Sequence, residues 1–95
     1  MKNYEGIFMT KANLTDEANQ KILTLIEGEI SKNGGKVENV EKWGKKNLAY
    51  SIKKNKEGIY YKLDFKIDPE KISDLKNTYR LNEDILRSMI TRKGG

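Results

Sequence analysis

Few side chains in this sequence are able to make or break covalent bonds. It contains neither His nor Cys, which removes the commonest general base, the commonest low-pKa nucleophile, zinc–thiolate centres and disulfides. A Ser–Lys nucleophile is the remaining covalent option, and Ser51 and Lys54 lie close in sequence. Lys54, however, falls in solvent beside a strand, where nothing perturbs its ammonium. Glu27 and Glu29 do not share a helix face, and Asp64 and Asp68 are too far apart along a strand to act as an acid/base pair. A phosphate loop needs G-x-x-x-x-G-K-[ST] leading into a helix. Gly35-Lys36 has Ile30 in place of the first Gly, and Gly44-Lys45 lacks both the upstream Gly and the following hydroxyl. The sequence therefore predicts no catalytic site, no metal, no cofactor and no small-molecule substrate.

The remaining chemistry is cationic. The 95 residues carry 19 Lys plus Arg against 14 Asp plus Glu, a net charge of +5. Residues 36–56 hold Lys36, Lys42, Lys45, Lys46, Lys53, Lys54 and Lys56 against Glu38 and Glu41, and residues 80–95 add Arg80, Arg87, Arg92 and Lys93 against Glu83 and Asp84. The rest of the chain is slightly acidic. A localised basic stretch is suited to a polyanion, although lysines on strands and hairpins also serve solubility. Base stacking on an RNA-recognition sheet needs K/R-G-F/Y-G/A-F-V-x-F/Y on the third strand. Lys56-Glu57-Gly58-Ile59-Tyr60-Tyr61-Lys62-Leu63 does not align with it, and Tyr60, beside Asp64, is the one aromatic on that side.

These groups must be carried by a compact set of elements. Residues 2–10 read as a strand, with Tyr4, Gly6 and Phe8 on one side and Glu5, Ile7 and Met9 on the other. Residues 15–33 read as a helix capped by Thr15, with Ala18, Ile22, Leu25, Ile26 and Ile30 as its apolar stripe and Gly34-Gly35 as its stop. A long strand over 36–54 follows, with Gly44 marking a bend, then a turn at Asn55-Lys56-Glu57-Gly58. In residues 59–67 apolar Ile59, Tyr61, Leu63, Phe65 and Ile67 alternate with Tyr60, Lys62, Asp64 and Lys66, the pattern of a sheet covered on one face. Asp68-Pro69-Glu70 opens a second helix with Ile72, Leu75 and Tyr79 inward, and residues 85–92 form the last strand. The order β-α-β-β-α-β predicts an α+β fold, a ferredoxin-like split βαβ sandwich whose two helices cover one face of a four-stranded antiparallel sheet. It is expected to form a single domain over residues 1–95, with residues 94–95 frayed. No window is apolar enough to span a membrane, and the first residues lack the pattern of a signal peptide.

Three stretches together resemble the bacterial small-subunit ribosomal protein six family along nearly the whole chain. Tyr4-Glu5 is similar to that family's opening strand. Trp43-Gly44-Lys45-Lys46-Asn47-Leu48-Ala49-Tyr50-Ser51-Ile52 is similar to its signature of an aromatic, Gly, two basic residues, a variable position and Leu-Ala-Tyr-Pro-Ile. Tyr79-Arg80-Leu81-Asn82-Glu83 and Ile85-Leu86-Arg87-Ser88-Met89 resemble its second-helix exit and last strand. Ser51 stands where Pro is frequent, Lys45 and Lys46 where Arg is frequent, and the chain stops sooner after the last strand than many members do. The resemblance implies a non-catalytic, cytoplasmic constituent of the small ribosomal subunit. It would bind the central domain of small-subunit ribosomal RNA, paired with small-subunit ribosomal protein eighteen.

Carried over by motif, Lys45 and Lys46 are the first candidates for RNA contact, followed by Arg80 and Arg87. Charge alone adds Lys53, Lys54 and Lys56. Lys2 and Arg92 join them because the first and last strands are neighbours in this fold. Contacts from such residues go mainly to phosphate and sugar. Competing local roles are ion pairs of Lys45 and Lys46 with Glu41 or Glu38, of Arg87 with Glu5, and of Arg80 with the C-terminal dipole of its helix. Trp43 reads as a packing anchor and Tyr50 as a core residue. Ile7, Met9 and Tyr60, on the side of the sheet away from the helices, are the candidates for the protein partner. A basic interaction module without RNA, and a small enzyme of the same fold, are the competing functions.

Overall fold

The computed structural model describes residues 1–94. Its elements are β1 (Lys2–Lys11), α1 (Asp16–Lys32), β2 (Lys36–Ile52), β3 (Asn55–Ile67), a 3-10 turn (Pro69–Lys71), α2 (Ile72–Leu81) and β4 (Ile85–Arg92). The strands lie in the order β2-β3-β1-β4, each pair antiparallel. Both helices pack on one face of this sheet, as expected for the split βαβ sandwich.

The core forms where the two periodicities meet. Ile22, Ile26 and Ile30 of α1 and Leu75 and Tyr79 of α2 close on Tyr4, Phe8, Tyr61, Leu63, Phe65, Ile67 and Ile85 of the sheet. Phe8 and Tyr79 meet edge to face at 5.0 Å, and the Tyr79 hydroxyl donates to the Ile26 carbonyl at 2.7 Å, joining α2 to α1. Burial, with help from the nearby Glu29 charge, pushes the Tyr79 phenol far above its ordinary pKa. Leu25, expected in the α1 stripe, is exposed, and Leu23 packs against the core instead. At about 100° per residue Leu23 lies roughly 60° from the middle of the Ile22–Ile26–Ile30 stripe and Leu25 roughly 100°.

Helix α1 begins and ends on side-chain and backbone chemistry visible in the sequence. The Thr15 hydroxyl accepts from the Ala18 amide at 3.1 Å, beside Asp16 and Glu17 in the first turn. At the other end Gly34, at φ 82°, allows its own amide to reach Ser31 O and the Gly35 amide to reach Ile30 O at 2.8 Å. This paired closure satisfies the last carbonyls and turns the chain into β2. Helix α2 starts later than expected. Asp68 makes no side-chain cap, and Pro69–Lys71 forms a 3-10 turn before the α-helix proper.

The β2–β3 turn is displaced from its expected place. Its corner is Lys53-Lys54, enclosed by the Ile52↔Asn55 pair, and β3 already runs through residues 55–58. Gly58 had the appearance of a turn residue but is a buried strand residue. A Cβ there would lie 2.7 Å from Met9 Cγ and 3.2 Å from Thr10 O, so glycine is required by the closeness of β1. β2 is irregular: its register against β3 shifts at Val37/Asn39, at Lys42/Gly44 and at Asn47/Ile52. At the last shift Leu48–Ser51 stand against Lys56 alone.

Candidate nucleic-acid interface

The strand registers determine which face each candidate side chain occupies. Lys45 lies opposite Ile59, whose side faces the helices, and Lys46 lies opposite Gly58, on the open side. The two lysines adjacent in sequence therefore leave the hairpin on opposite faces. Lys45 pairs with Glu57 at 3.0 Å rather than with Glu38 or Glu41, which pair with Lys66 and Lys62. Lys46 is exposed and takes part in none of the ion pairs among the described residues.

The hairpin tip brings distant cations together. Lys53 reaches back from the turn and its Nζ donates to the Ile85 carbonyl at 3.4 Å, 32 residues away. It thereby becomes one wall of an open cleft of about 350 Å³ lined also by Lys76, Tyr79, Arg80, Ile85, Leu86, Arg87 and Ser88. Four of these eight residues are cationic and none is acidic. None of the four takes part in an ion pair among the described residues. Arg80 is held by Asn77 Oδ1 at 2.7 Å, a neutral partner that fixes the guanidinium without neutralising it. Arg87 faces Met9 across β1, not Glu5, so the expected cross-strand pair does not form. A second depression adjoins the first, sharing Lys53 and Arg80 and adding Lys11, Leu81 and Glu83. Lys76 was not among the residues chosen from sequence. The signal was its i,i+4 spacing from Arg80, which puts both cations on one side of α2.

The other chosen cations fall into separate groups. Lys54 and Lys56 share a shallow groove with Lys45, Ala12, Asn13, Asn55 and Glu57. Lys2 and Arg92 do lie on neighbouring strands, near Tyr4, but at the opposite end of β1 from the hairpin tip. Nine residues of strand, about 30 Å, separate Lys2 from Lys11. The nine cations therefore do not form one surface.

The face away from the helices is closed by its own charges. Lys62 stands 3.6 Å from Glu5 and 3.5 Å from Glu41, Lys93 is 2.9 Å from Asp64, and Lys66 is 3.7 Å from Glu38. Lys93 holds the Asp64 carboxyl below the usual carboxylate range, against the opposing effect of desolvation. Partial desolvation opposes the Lys62 charge, but Asp64, Glu5 and Glu41 together outweigh it and raise its pKa. A base-stacking platform has no place among these carboxylates. The apolar residues form a smaller group on this face: Tyr60 opposite Met9, and Ile7 opposite Met89. Met9 itself is only 7% exposed, whereas Met89 is 44% exposed and was not chosen from sequence.

Trp43 and Tyr50 overturn their expected packing roles, being 43% and 77% exposed. Trp43 is the extra residue between the Lys42↔Tyr61 and Gly44↔Tyr60 pairs, and Tyr50 lies in the four-residue bulge over Lys56. A bulge re-aims side chains that strict alternation would place in the core.

Comparison with known proteins bears on this arrangement. The profile of the family described as "Ribosomal protein S6" matches residues 3–92. The small ribosomal subunit protein bS6 of Clostridium novyi is 39% identical over 90 residues, covering 95% of each chain. That of Helicobacter hepaticus is 41% identical over 92 residues, covering 97% of this chain and 67% of its own. The crystal structure of 30S ribosomal protein S6 from Thermotoga maritima superposes with a TM-score of 0.90 at 30% identity, covering 97% of this chain and 87% of that one. The C-terminal domain of the MgtC protein from Mycobacterium tuberculosis shares the fold, with a TM-score of 0.64 at 10% identity.

Proposed function

Given that the chain belongs to the ribosomal protein S6 family, and is thus a non-catalytic structural component of the small ribosomal subunit, we propose that it binds the central domain of small-subunit ribosomal RNA together with small-subunit ribosomal protein eighteen, on ribosomes in the cytoplasm. The observation that carries this reading is the cleft between the hairpin tip and the α2–β4 corner, where Lys53, Lys76 and Arg80 converge without a carboxylate, with Arg87 at its β4 wall, opposite Met9 on the open face. Phosphate oxygens satisfy such a cluster, and Arg80 supplies the planar fork that grips them in pairs. Lys46, Lys54 and Lys56 extend the contact along the hairpin, with Lys45 partly held by Glu57. Lys2 and Arg92, at the far end of the sheet, would meet a separate stretch of backbone.

In this reading the protein partner covers the open face over Ile7, Tyr60 and the exposed Met89, with Met9 filling beneath them. Desolvating these side chains gives an apolar centre, and the Lys62 and Asp64 pairs form a charged rim. The RNA contact alone is modest. Four phosphate contacts give a log–log salt slope of about −3 to −4, the size expected of weak, salt-sensitive binding. The partner joins its own surface to this one and fixes the orientation of both. Titrating a labelled central-domain transcript with this chain alone, and again with protein eighteen present, tests the reading. Weak binding alone and tight binding with the partner are expected. Equally tight binding in both titrations would refute the paired mode, and no salt-dependent binding in either would refute the RNA reading itself.

A further inference from the structure

The β2–β3 turn has a backbone its residues do not favour. Lys53 and Lys54 have φ of 49° and 67°, and they are the only non-glycine residues with positive φ among those described. A two-residue hairpin turn with both corners left-handed calls for Asn-Gly or Gly-Gly, because a Cβ crowds the backbone in that region. Lysine brings no local hydrogen bond to offset the strain, unlike Asn or Asp. Packing holds the tip only lightly: both lysines are exposed, and the side-chain hydrogen bonds at the tip run from Lys53 Nζ to Ile85 O at 3.4 Å and from Asn55 Nδ2 to the Lys53 carbonyl at 2.9 Å.

The side-chain destinations do explain it. The two residues of this turn line two separate depressions. Lys53 lines the cleft with Lys76 and Arg80, and Lys54 lines the groove with Lys45 and Lys56. We infer that the strained turn is retained as a binding element: it commits one lysine to each of two cationic depressions at the hairpin tip, so that RNA phosphates are met in both. The inference rests on the RNA reading above and adds to it that the tip makes contact through two depressions rather than one. Glycine at these positions would relax the backbone and remove both charges. Asn would keep the left-handed corner and remove the charges, and Arg would keep the strain and the charges.

The test measures stability and RNA binding on the same variants: Lys53→Gly, Lys54→Gly, the double Gly variant, the double Asn variant and the double Arg variant. The RNA probe is the labelled central-domain transcript. The double Gly and double Asn variants are expected to melt several degrees higher than the parent. Each single Gly variant should bind the transcript about threefold to tenfold more weakly, with a log–log salt slope shallower by about one, and the double variants by about two. The double Arg variant should keep the parental slope and melting temperature. A double Gly variant that is no more stable than the parent shows that the turn stores no strain and overturns the inference. So does a more stable variant that binds with the parental slope. A slope change confined to Lys53→Gly would refute contact through both depressions. A parent chain with no salt-dependent binding fails the RNA reading before the turn is reached, and the two failures are thus distinct.

Discussion

Lys76 and Arg80 are one helical turn apart on α2, and both face the cleft that holds Lys53 and Arg87. Without an anion between them they repel. Like-charge pairs at this spacing cost about 0.2–0.5 kcal/mol, so Lys76→Gln should stabilise the free protein by up to that amount at low salt. The gain should vanish near ~1 M salt, where the Debye length is about 3 Å, and the same variant should weaken binding to the transcript. Urea titrations at two ionic strengths measure the first effect and a filter-binding titration the second. Lys45→Ala should behave differently, because its carboxylate partner Glu57 is itself exposed. Losing such a pair costs about 0–1 kcal/mol, with no gain at low salt. Asp64 sets a pH dependence. Its folded pKa is lowered, chiefly by Lys93. Its contribution is therefore complete above the unfolded carboxyl value, about 3.9, and is lost as pH falls below that value through the folded pKa. Stability measured from pH 6 to pH 2 should fall less steeply in Asp64→Asn than in the parent.

Elements carry the next set of consequences. The Tyr79 hydroxyl is the one side-chain hydrogen bond between the two helices among the described residues. Tyr79→Phe should cost about 0.5–1.5 kcal/mol with the core otherwise intact, measured by denaturant unfolding. Because the folded Tyr79 pKa is raised, its contribution is complete below the unfolded phenol value of about 10 and is lost as pH rises above it. Gly35→Ala should be costlier, because its Cβ would lie 2.7 Å from the Lys66 carbonyl, a backbone atom with no freedom to move aside. Elements with one clear periodicity were legible in the residues: β3 alternates without interruption, and α1 announces its start at Thr15 and its stop at Gly34. β2 was not. Alternation predicts faces only when each residue opposes one partner, and β2 breaks that rule three times. The exposure of Trp43 and Tyr50 follows from register that no single strand contains, whereas the opposite faces of the adjacent Lys45 and Lys46 are simple alternation. The turn was misplaced for a related reason, since Gly58 answers to Met9 of β1, a neighbour 49 positions away in sequence. Of the cleft, Arg80, Arg87 and Lys53 could be named in advance, but not their meeting. That depends on a side chain from the hairpin tip crossing to the first residue of β4.

At the scale of the whole molecule, the charge is sorted by place more than by amount. The sheet's open face pairs most of its charges internally, whereas at the end formed by the hairpin tip, α2 and β4, beside the Lys45–Glu57 and Lys11–Asp84 pairs, Lys53, Lys76 and Arg80 take part in no ion pair among the described residues. Under the proposed function one end takes RNA and one face a protein, so the two partners would not compete for surface. The bulged edge strand has a further consequence. An open sheet has two edges, and a long regular edge recruits strands from other molecules into aggregates. β2 is long, but its register shifts interrupt the row of free amides and carbonyls, and Lys36, Lys42, Lys45 and Lys46 punctuate it. The other edge, β4, is eight residues long and carries Arg87 and Arg92. Neither border offers a clean template for a second copy. Under the proposed RNA role, chains not yet bound to RNA are expected to resist edge-to-edge pairing, which light scattering of the free protein at rising concentration checks.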